Sequence, residues 1–589
     1  MSVIVQKFGG TSVATAEKIR EAARRAVAAR RRGMDVVLVL SARGKTTDEL
    51  LTLAEEITDA TAADAAHARE LDALLATGEQ ISTSLAAMAI HALGEPAVSL
   101  TGGQMGMHTD DLHTRARIRA IDVSRLRAEL AAGKIVVACG FQGMAPSGDI
   151  TTLGRGGSDT TATALAAALG ADVCEIYTDV PGVFTTDPRK VSDARKIDRV
   201  GYDEMLELAS LGAGVMHSRS IEFAKKFGVP LRVRPSFDDG EGTLIGPAPA
   251  GDAPVTGLAI VPDECRVTMW GLPDKPGVMA AVFEEMARRA IPIDMVIQDV
   301  AHDGVADVSF TVPKSTLAET LTAAEAAAAQ VGAGEITQGT SVAKVSAVGA
   351  GMRRHPGVAA RMFRSLAEAG VNIEMVTTSE IKVSTLVTRD GSAAALARVH
   401  DEFTLASPPP PADAPQPAES GSLRAVVENL AGMEDIVVSD VSLDLSQARV
   451  SIAGVPDRVG TAADVLEAIA AADISVDMIV QNSGRDGHAG ISVTFPREHL
   501  DACRRAVAGR IAEWPDCRVV DAAEIAKLSV TGVGLRSHTG VGRTLFRALS
   551  EAGINVQMVA TSETVVSTVV HPDQASAARD AVAGAFQTD

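Results

Sequence analysis

Lys7, Phe8, Gly9, Gly10, Thr11 and Ser12 follow a short apolar run at residues 3–5, and Gly154, Arg155, Gly156, Gly157, Ser158 and Asp159 open an alanine-rich helical run far downstream. In each place a strand runs into glycines and then a helix start, where free N–H groups and close backbone approach make an anion site. Lys7 and Arg155 add a fixed positive charge to each. One glycine turn alone is equally well a plain tight turn. Two of them, each with its own cation, point to phosphoryl transfer, which needs backbone donors and cations around the transferring group.

These groups must be positioned by the elements around them. Up to about Pro247, β-branched runs at 36–40, 97–100, 135–139, 173–178 and 231–233 alternate with amphipathic stretches such as 17–32, 64–93 and 158–169. That rhythm predicts an α/β domain with a mostly parallel sheet. Active sites of such sheets sit beyond the carboxyl ends of the strands, where Lys7, Ser41, Gly140 and Thr178 fall.

The chain has 589 residues, 46% of them apolar, enough for several domains. A net charge of −20 argues against nucleic acid as a partner. Cys139, Cys174, Cys265, Cys503 and Cys517 are scattered, with no Cys-x-x-Cys pair, so neither a disulfide framework nor a metal site is expected. The first residues lack the basic stretch and apolar core of a signal peptide. The most apolar stretch, 162–171, falls short of the roughly 20 residues of a membrane helix. A cytoplasmic protein with no membrane contact is the expectation.

Beyond Pro254 the sequence repeats itself. Asp274, Lys275, Pro276 and Gly277, with Asp294 and Gln298, recur as Asp457, Arg458, Val459 and Gly460, with Asp477 and Gln481, at a constant offset of 183. His355, Gly357, Asn372 and Thr378 to Glu380 recur at the same offset as His538, Gly540, Asn555 and Thr561 to Glu563. A second period of 80 relates Gly277 to Gly357 and Gly460 to Gly540. Two tandem pairs result, four modules in all, each reading as a βαββαβ unit. Between the pairs, residues 407–422 are proline-rich, reading either as a semi-rigid spacer or as a loop with no positioning role. A Gly349, Ala350, Gly351 turn superficially matches a dinucleotide fingerprint, but Arg354 stands where the third glycine belongs.

Taken together, Lys7 to Ser12, Thr77 to Gln80, Gly140 to Gly143, Gly154 to Asp159 and Thr178 to Arg189 resemble the aspartate kinases, and the repeats resemble their regulatory ACT domains. The resemblance covers almost the whole chain. It implies an amino-acid-kinase fold at 1–247, followed by ferredoxin-like ACT modules at 255–338, 339–406, 423–525 and 526–589. The implied reaction is ATP-dependent phosphorylation of the L-aspartate side chain to 4-phospho-L-aspartate, the first step toward lysine, threonine and methionine. Two departures stand out. The family usually has two ACT domains, and Gly214 lies where several members carry a nucleotide-contacting lysine.

The resemblance makes Lys7 and Asp159 the catalytic pair. Thr47, Glu79, Arg155, Gly156, Gly157 and Ser158 are then the aspartate-binding residues. Arg155 suits the α-carboxylate as a planar two-pronged donor, and Glu79 suits the ammonium. ATP, with Mg²⁺, falls to Lys7, Phe8, Gly9, Gly10, Ser41, Ser158, Thr178, Asp179, Phe184 and Arg189. For regulation, Asp274, Gly277, Asp294 and Gln298 are expected opposite Asn372 and Ile373, with Asp457, Gly460, Asp477, Gln481 and Asn555 forming a second set. L-lysine and L-threonine are the implied effectors, and a homodimer or larger assembly is expected through ACT pairing. A relative of the same fold acting on glutamate or acetylglutamate, and a sensor with a decayed kinase domain, are the competing readings.

Overall fold

The computed structural model describes residues 2–58, 65–212, 215–247, 253–298, 304–332, 334–408, 437–484, 487–533, 535 and 540–587. Most of the 407–422 linker, Gly214 and His538 lie outside the described residues.

Valine-rich runs such as Asp35–Leu40, buried from Val36 to Leu40, form the centre of an eight-stranded sheet, as unbroken apolar strands must when both faces are covered. Its order is Arg199–Gly201, Thr243–Gly246, Leu231–Pro235, Val173–Thr178, Val3–Phe8, Asp35–Leu40, Ile135–Cys139, Ala97–Leu100. From Leu231–Pro235 to Ala97–Leu100 every neighbour is parallel. Strand alternation divides Val3–Phe8 between two cores. Ile4 and Phe8 pack with helices Ala16–Arg31 and Thr77–Ala92, whereas Val5 packs with Gly157–Leu169 and Ser218–Phe227. Lys7 shares the face of Val5, and so points toward the helix that Asp159 opens.

The C-terminal modules are nested, not consecutive. Strand Gly257–Pro273 serves two modules within one ten-stranded sheet: residues 257–261 pair with 344–348, and residues 264–273 pair with Val305–Pro313. The first module thus sits inside the second, whose outer strand precedes it in the chain. The second pair repeats the arrangement, Val437–Asp444 pairing with Ala526–Val533 across the whole third module. The expected boundaries 255–338, 339–406, 423–525 and 526–589 therefore each misplace one strand. The repeat marks the glycine loops and inner strands, and carries no record of which module an outer strand joins.

Pairing between modules also departs from expectation. Strand Ile373–Ser379 of the second module hydrogen-bonds to Ile479–Ser483 of the third. The first module packs on the fourth through helices Val278–Arg288 and Gly540–Glu551, with Phe283 and Phe546 rings 4.5 Å apart. The ACT faces expected to meet across subunits meet here within one chain.

Helix Tyr202–Ser210 joins the two halves of the molecule. Met205 and Leu206 belong to the kinase core, while Leu208, followed by Leu211, packs on Ala259 and Val348 of the ACT sheet. Glu204 accepts hydrogen bonds from Thr256 Oγ1 at 2.6 Å and from the Ala350 N–H at 3.0 Å. Glu207 accepts from the Glu563 N–H at 3.1 Å and ion-pairs with Lys382. Among the described residues no helix is long and apolar enough to cross a membrane.

Candidate functional site

Lys7 and Asp159 form an ion pair at the carboxyl edge of the sheet, both largely buried at 9% and 8% exposure. Lys7 ends the central strand, and Asp159 lies in the first turn of helix Gly157–Leu169, whose N-terminus carries partial positive charge. Two glycine turns flank the pair. In the first, a Cβ on Gly10 would lie 2.7 Å from the Ala42 carbonyl, so only glycine lets the two loops meet. In the second, Gly156 has φ +74°, a left-handed backbone that starts the helix abruptly.

Glu79 lies in the first turn of Thr77–Ala92 and is 2% exposed. Its Oε1 accepts the Ala42 N–H at 2.9 Å, and Oε2 is buried with no hydrogen-bond partner among the described residues. Burial pushes its carboxyl up to about 7, against the lowering effect of the Ala42 N–H. A half-charged carboxylate with one free oxygen suits a cationic ligand group. Arg155 is its opposite: exposed, and with no ion-pair partner among the described residues.

Other expected positions are accounted for as follows. Ser41 and Thr47 are half-buried at the next strand end and in the first turn of Thr46–Ile57. Thr178 and Asp179 close strand Val173–Thr178, with the Thr178 hydroxyl donating to Asp179 at 3.3 Å. Phe184 is half-buried and bridges to Lys196, and Arg189 is exposed and paired with Asp187 at 3.0 Å. Phe8 adjoins Lys7 at the same strand end. Its ring is buried and stacked on Tyr177 at 4.4 Å, on the face opposite Lys7, so only its backbone borders the site.

Sequence reasoning missed the groups that hold this edge in shape. Wholly buried Asp72 accepts from the Thr152 hydroxyl at 2.5 Å and the Thr114 N–H at 3.0 Å. The His217 ring lies against Gly156, and burial, followed by Arg219, lowers its pKa. A buried aspartate inside a helix, or a histidine after a glycine stretch, carries no signal of these contacts in the sequence.

The repeated residues gather at module interfaces, with two corrections. Asn372 and Ile373 face the Asp457 loop, not the Asp274 loop: the Asn372 amide donates to Asp457 at 2.7 Å, and Gln481 donates to the Ile373 carbonyl at 3.2 Å. The Asp274 loop is met by Asn555, donating at 2.7 Å, while Gln298 donates to the Val556 carbonyl at 2.8 Å. Gly277 and Gly460 open the adjoining helices at φ +96° and +92°. Asp294 and Asp477 do not share those pockets. Asp294 ion-pairs with buried Lys344, and Asp477 pairs with Lys527 at 2.6 Å while lining a separate cavity of about 370 Å³ with Thr378, Glu380 and His355.

Comparison with known proteins places this geometry. The amino acid kinase family model matches residues 2–235, and ACT domain models match 345–403, 448–501 and 528–586. The aspartokinase of Pseudomonas aeruginosa is 47% identical over 412 residues, 69% of this chain and 99% of that protein. A crystal structure of aspartate kinase from Synechocystis aligns over 99% of this chain and 98% of its own, at 39% identity and TM-score 0.52. E. coli aspartokinase III, 27% identical, aligns over 68% of this chain in two forms. One is in complex with aspartate and ADP (R-state, 100% of that chain, TM-score 0.58), the other with lysine and aspartate (T-state, 99% of that chain, TM-score 0.52).

Proposed function

The chain belongs to the aspartate kinase family, and on that premise we propose how its residues divide the work of moving the γ-phosphoryl group of ATP to the side-chain carboxylate of L-aspartate. The attacking carboxylate, with an ordinary pKa near 3.9, is ionised at neutral pH and needs no general base. The obstacle is charge, since an anion must approach a triphosphate. Lys7 answers it with an ammonium held in place by Asp159, and Gly9 and Gly10 let backbone N–H groups approach the β and γ phosphates.

Aspartate is gripped at its other two charges. Arg155 takes the α-carboxylate through two parallel N–H bonds, Glu79 takes the ammonium, and Thr47, Gly156, Gly157 and Ser158 complete the pocket. Ser41, Thr178, Asp179, Phe184 and Arg189 hold the nucleotide. Among the described residues no cluster of three or more His, Cys, Asp or Glu side chains could hold a metal ion. In this reading Mg²⁺ arrives on the phosphates of ATP, and Asp159 and Asp179 are the carboxylates that would face it. Bound there, Mg²⁺ neutralises phosphate charge.

The observation that carries this reading is the buried Lys7–Asp159 pair between two glycine turns, with Glu79 on the Ala42 loop that meets Gly10. ADP release by the full chain with ATP, Mg²⁺ and either L-aspartate or L-glutamate is the test. Aspartate-dependent turnover abolished by Lys7→Ala is the expected result; equal turnover with glutamate, or none with either, overturns it.

The ACT domains make the enzyme allosteric. L-lysine, and with it L-threonine, is proposed to enter at the Asp274–Asn555 and Asp457–Asn372 contacts, where an effector's ammonium displaces the asparagine amide from the aspartate. The work is done in the cytoplasm. A homodimer or larger assembly is part of the reading, with its contacts outside the module faces already paired within the chain. Calorimetry with each amino acid, and light scattering for mass, check these points; no heat from either amino acid, or a monomer mass, removes the corresponding statement.

A further inference from the structure

Arg155 projects from the Gly154–Gly157 turn with no ion-pair partner among the described residues, so the point from which it reaches is set by the backbone that carries it. That backbone is bonded to Phe141, whose carbonyl accepts the Leu153 N–H at 2.8 Å, and is gripped by side chains at the start of helix Ser218–Phe227. Arg219 donates through Nη1 to the Leu153 carbonyl at 2.6 Å and through Nη2 to the Ala116 carbonyl at 2.7 Å. Ala116 in turn donates its N–H to the Thr152 carbonyl at 2.8 Å, so one guanidinium ties the segment that leads into the turn to the segment lying beside it. Two residues earlier, His217 fills the space over Gly156: a Cβ on that glycine would lie 2.4 Å from His217 Cβ.

We propose that Arg219 and His217 are positioning residues for Arg155, fixing the place from which it reaches the α-carboxylate of the substrate. The proposal rests on the reading of Arg155 given above. Arg219 is suited to the role because a planar guanidinium spans two carbonyls at a fixed separation, whereas a lysine ammonium is a single point on a flexible stem. His217 sets the height of the turn by contact, which is why position 156 has no room for a side chain. Neither residue is asked to touch ATP or the transferring phosphoryl group, so the effect of losing them falls on aspartate binding.

Steady-state kinetics of the full chain carrying Arg219→Lys, Arg155→Lys, and both together make the test. The expected result is a KM for aspartate raised about tenfold by Arg219→Lys, with kcat and the KM for ATP changed less than about twofold. In the double variant, Arg219→Lys adds little to Arg155→Lys, because both act on one contact. A fall in kcat at unchanged KM for aspartate, or effects that multiply in the double variant, overturns the proposal. If Arg219→Lys fails to fold, His217→Asn, which leaves both carbonyl bonds in place, carries the same comparison. Wild-type protein without aspartate-dependent turnover fails the parent reading instead.

Discussion

Lys382 of the second ACT module and Glu207 of the kinase helix Tyr202–Ser210 form an ion pair 2.8 Å long, at 1% and 0% exposure. Glu207 also accepts the Glu563 N–H of the fourth module, so one carboxylate joins the catalytic domain to both ACT pairs. Removing one partner leaves a bare buried charge, which typically costs about 3–5 kcal/mol. Lys382→Met is therefore expected to lower stability by about that amount in denaturant titration, and Lys382→Met with Glu207→Leu to recover most of it. The folded double variant should keep its turnover while responding less to lysine; undiminished inhibition would show that the signal travels elsewhere.

Glu79 sets a pH limit. Burial raises its carboxyl to about 7, so it is protonated and neutral below that pH and charged above it. Only the charged form accepts the substrate ammonium. As pH falls through about 7, kcat/KM for aspartate should fall, approaching tenfold per unit, with a smaller change in kcat at saturating aspartate. Glu79→Gln should flatten that limb and lower kcat/KM by about 10- to 100-fold, the range of a charged hydrogen bond.

Lys7→Ala is expected to reduce kcat by a factor of about 10² to 10³, the usual effect of removing a group that stabilises developing charge. Asp159→Asn, which leaves the ammonium in place but loosens it, should reduce kcat less. Rapid-quench measurement of the phosphoryl-transfer step checks both.

One charge pair of the first ACT pair is not repeated in the second. Arg266 pairs with Glu374 at 3.2 Å, but its repeat Arg449 meets Gln557, a neutral amide, at 2.9 Å. Burial lowers the pKa of Arg449, and no counter-charge reaches it among the described residues. Gln557→Glu should supply one and stabilise the protein by about 1–3 kcal/mol, read as a raised denaturation midpoint.

What was legible in the sequence follows from the physics of each feature. The parallel sheet was readable because buried strands are unbroken apolar runs, and the phosphate edge because glycine, lysine and helix start are local to a few residues. The repeat was readable from its constant offset. Strand exchange between modules was not, because it pairs residues 257–261 with 344–348, and an apolar alternation does not name its neighbour. The opposition of Asn372 to Asp457 was missed for the same reason. At Phe8 the pattern gives the position but not the group: next to a cationic strand end, the backbone borders the site while the side chain lies on the other face. Asp72, His217 and Arg219 act by tertiary contact alone.

The interlocked strands also bear on how such a chain can arise. Because strand Gly257–Pro273 gives its first half to the outer module and its second half to the inner one, the inner module is one continuous stretch, whereas the outer module is completed only by a segment on the far side of the inner one. A copy of the outer module cut at residue 343 would lack that edge strand. The offset of 183 spans a whole pair, so a duplication of that length carries each outer strand together with the module it completes.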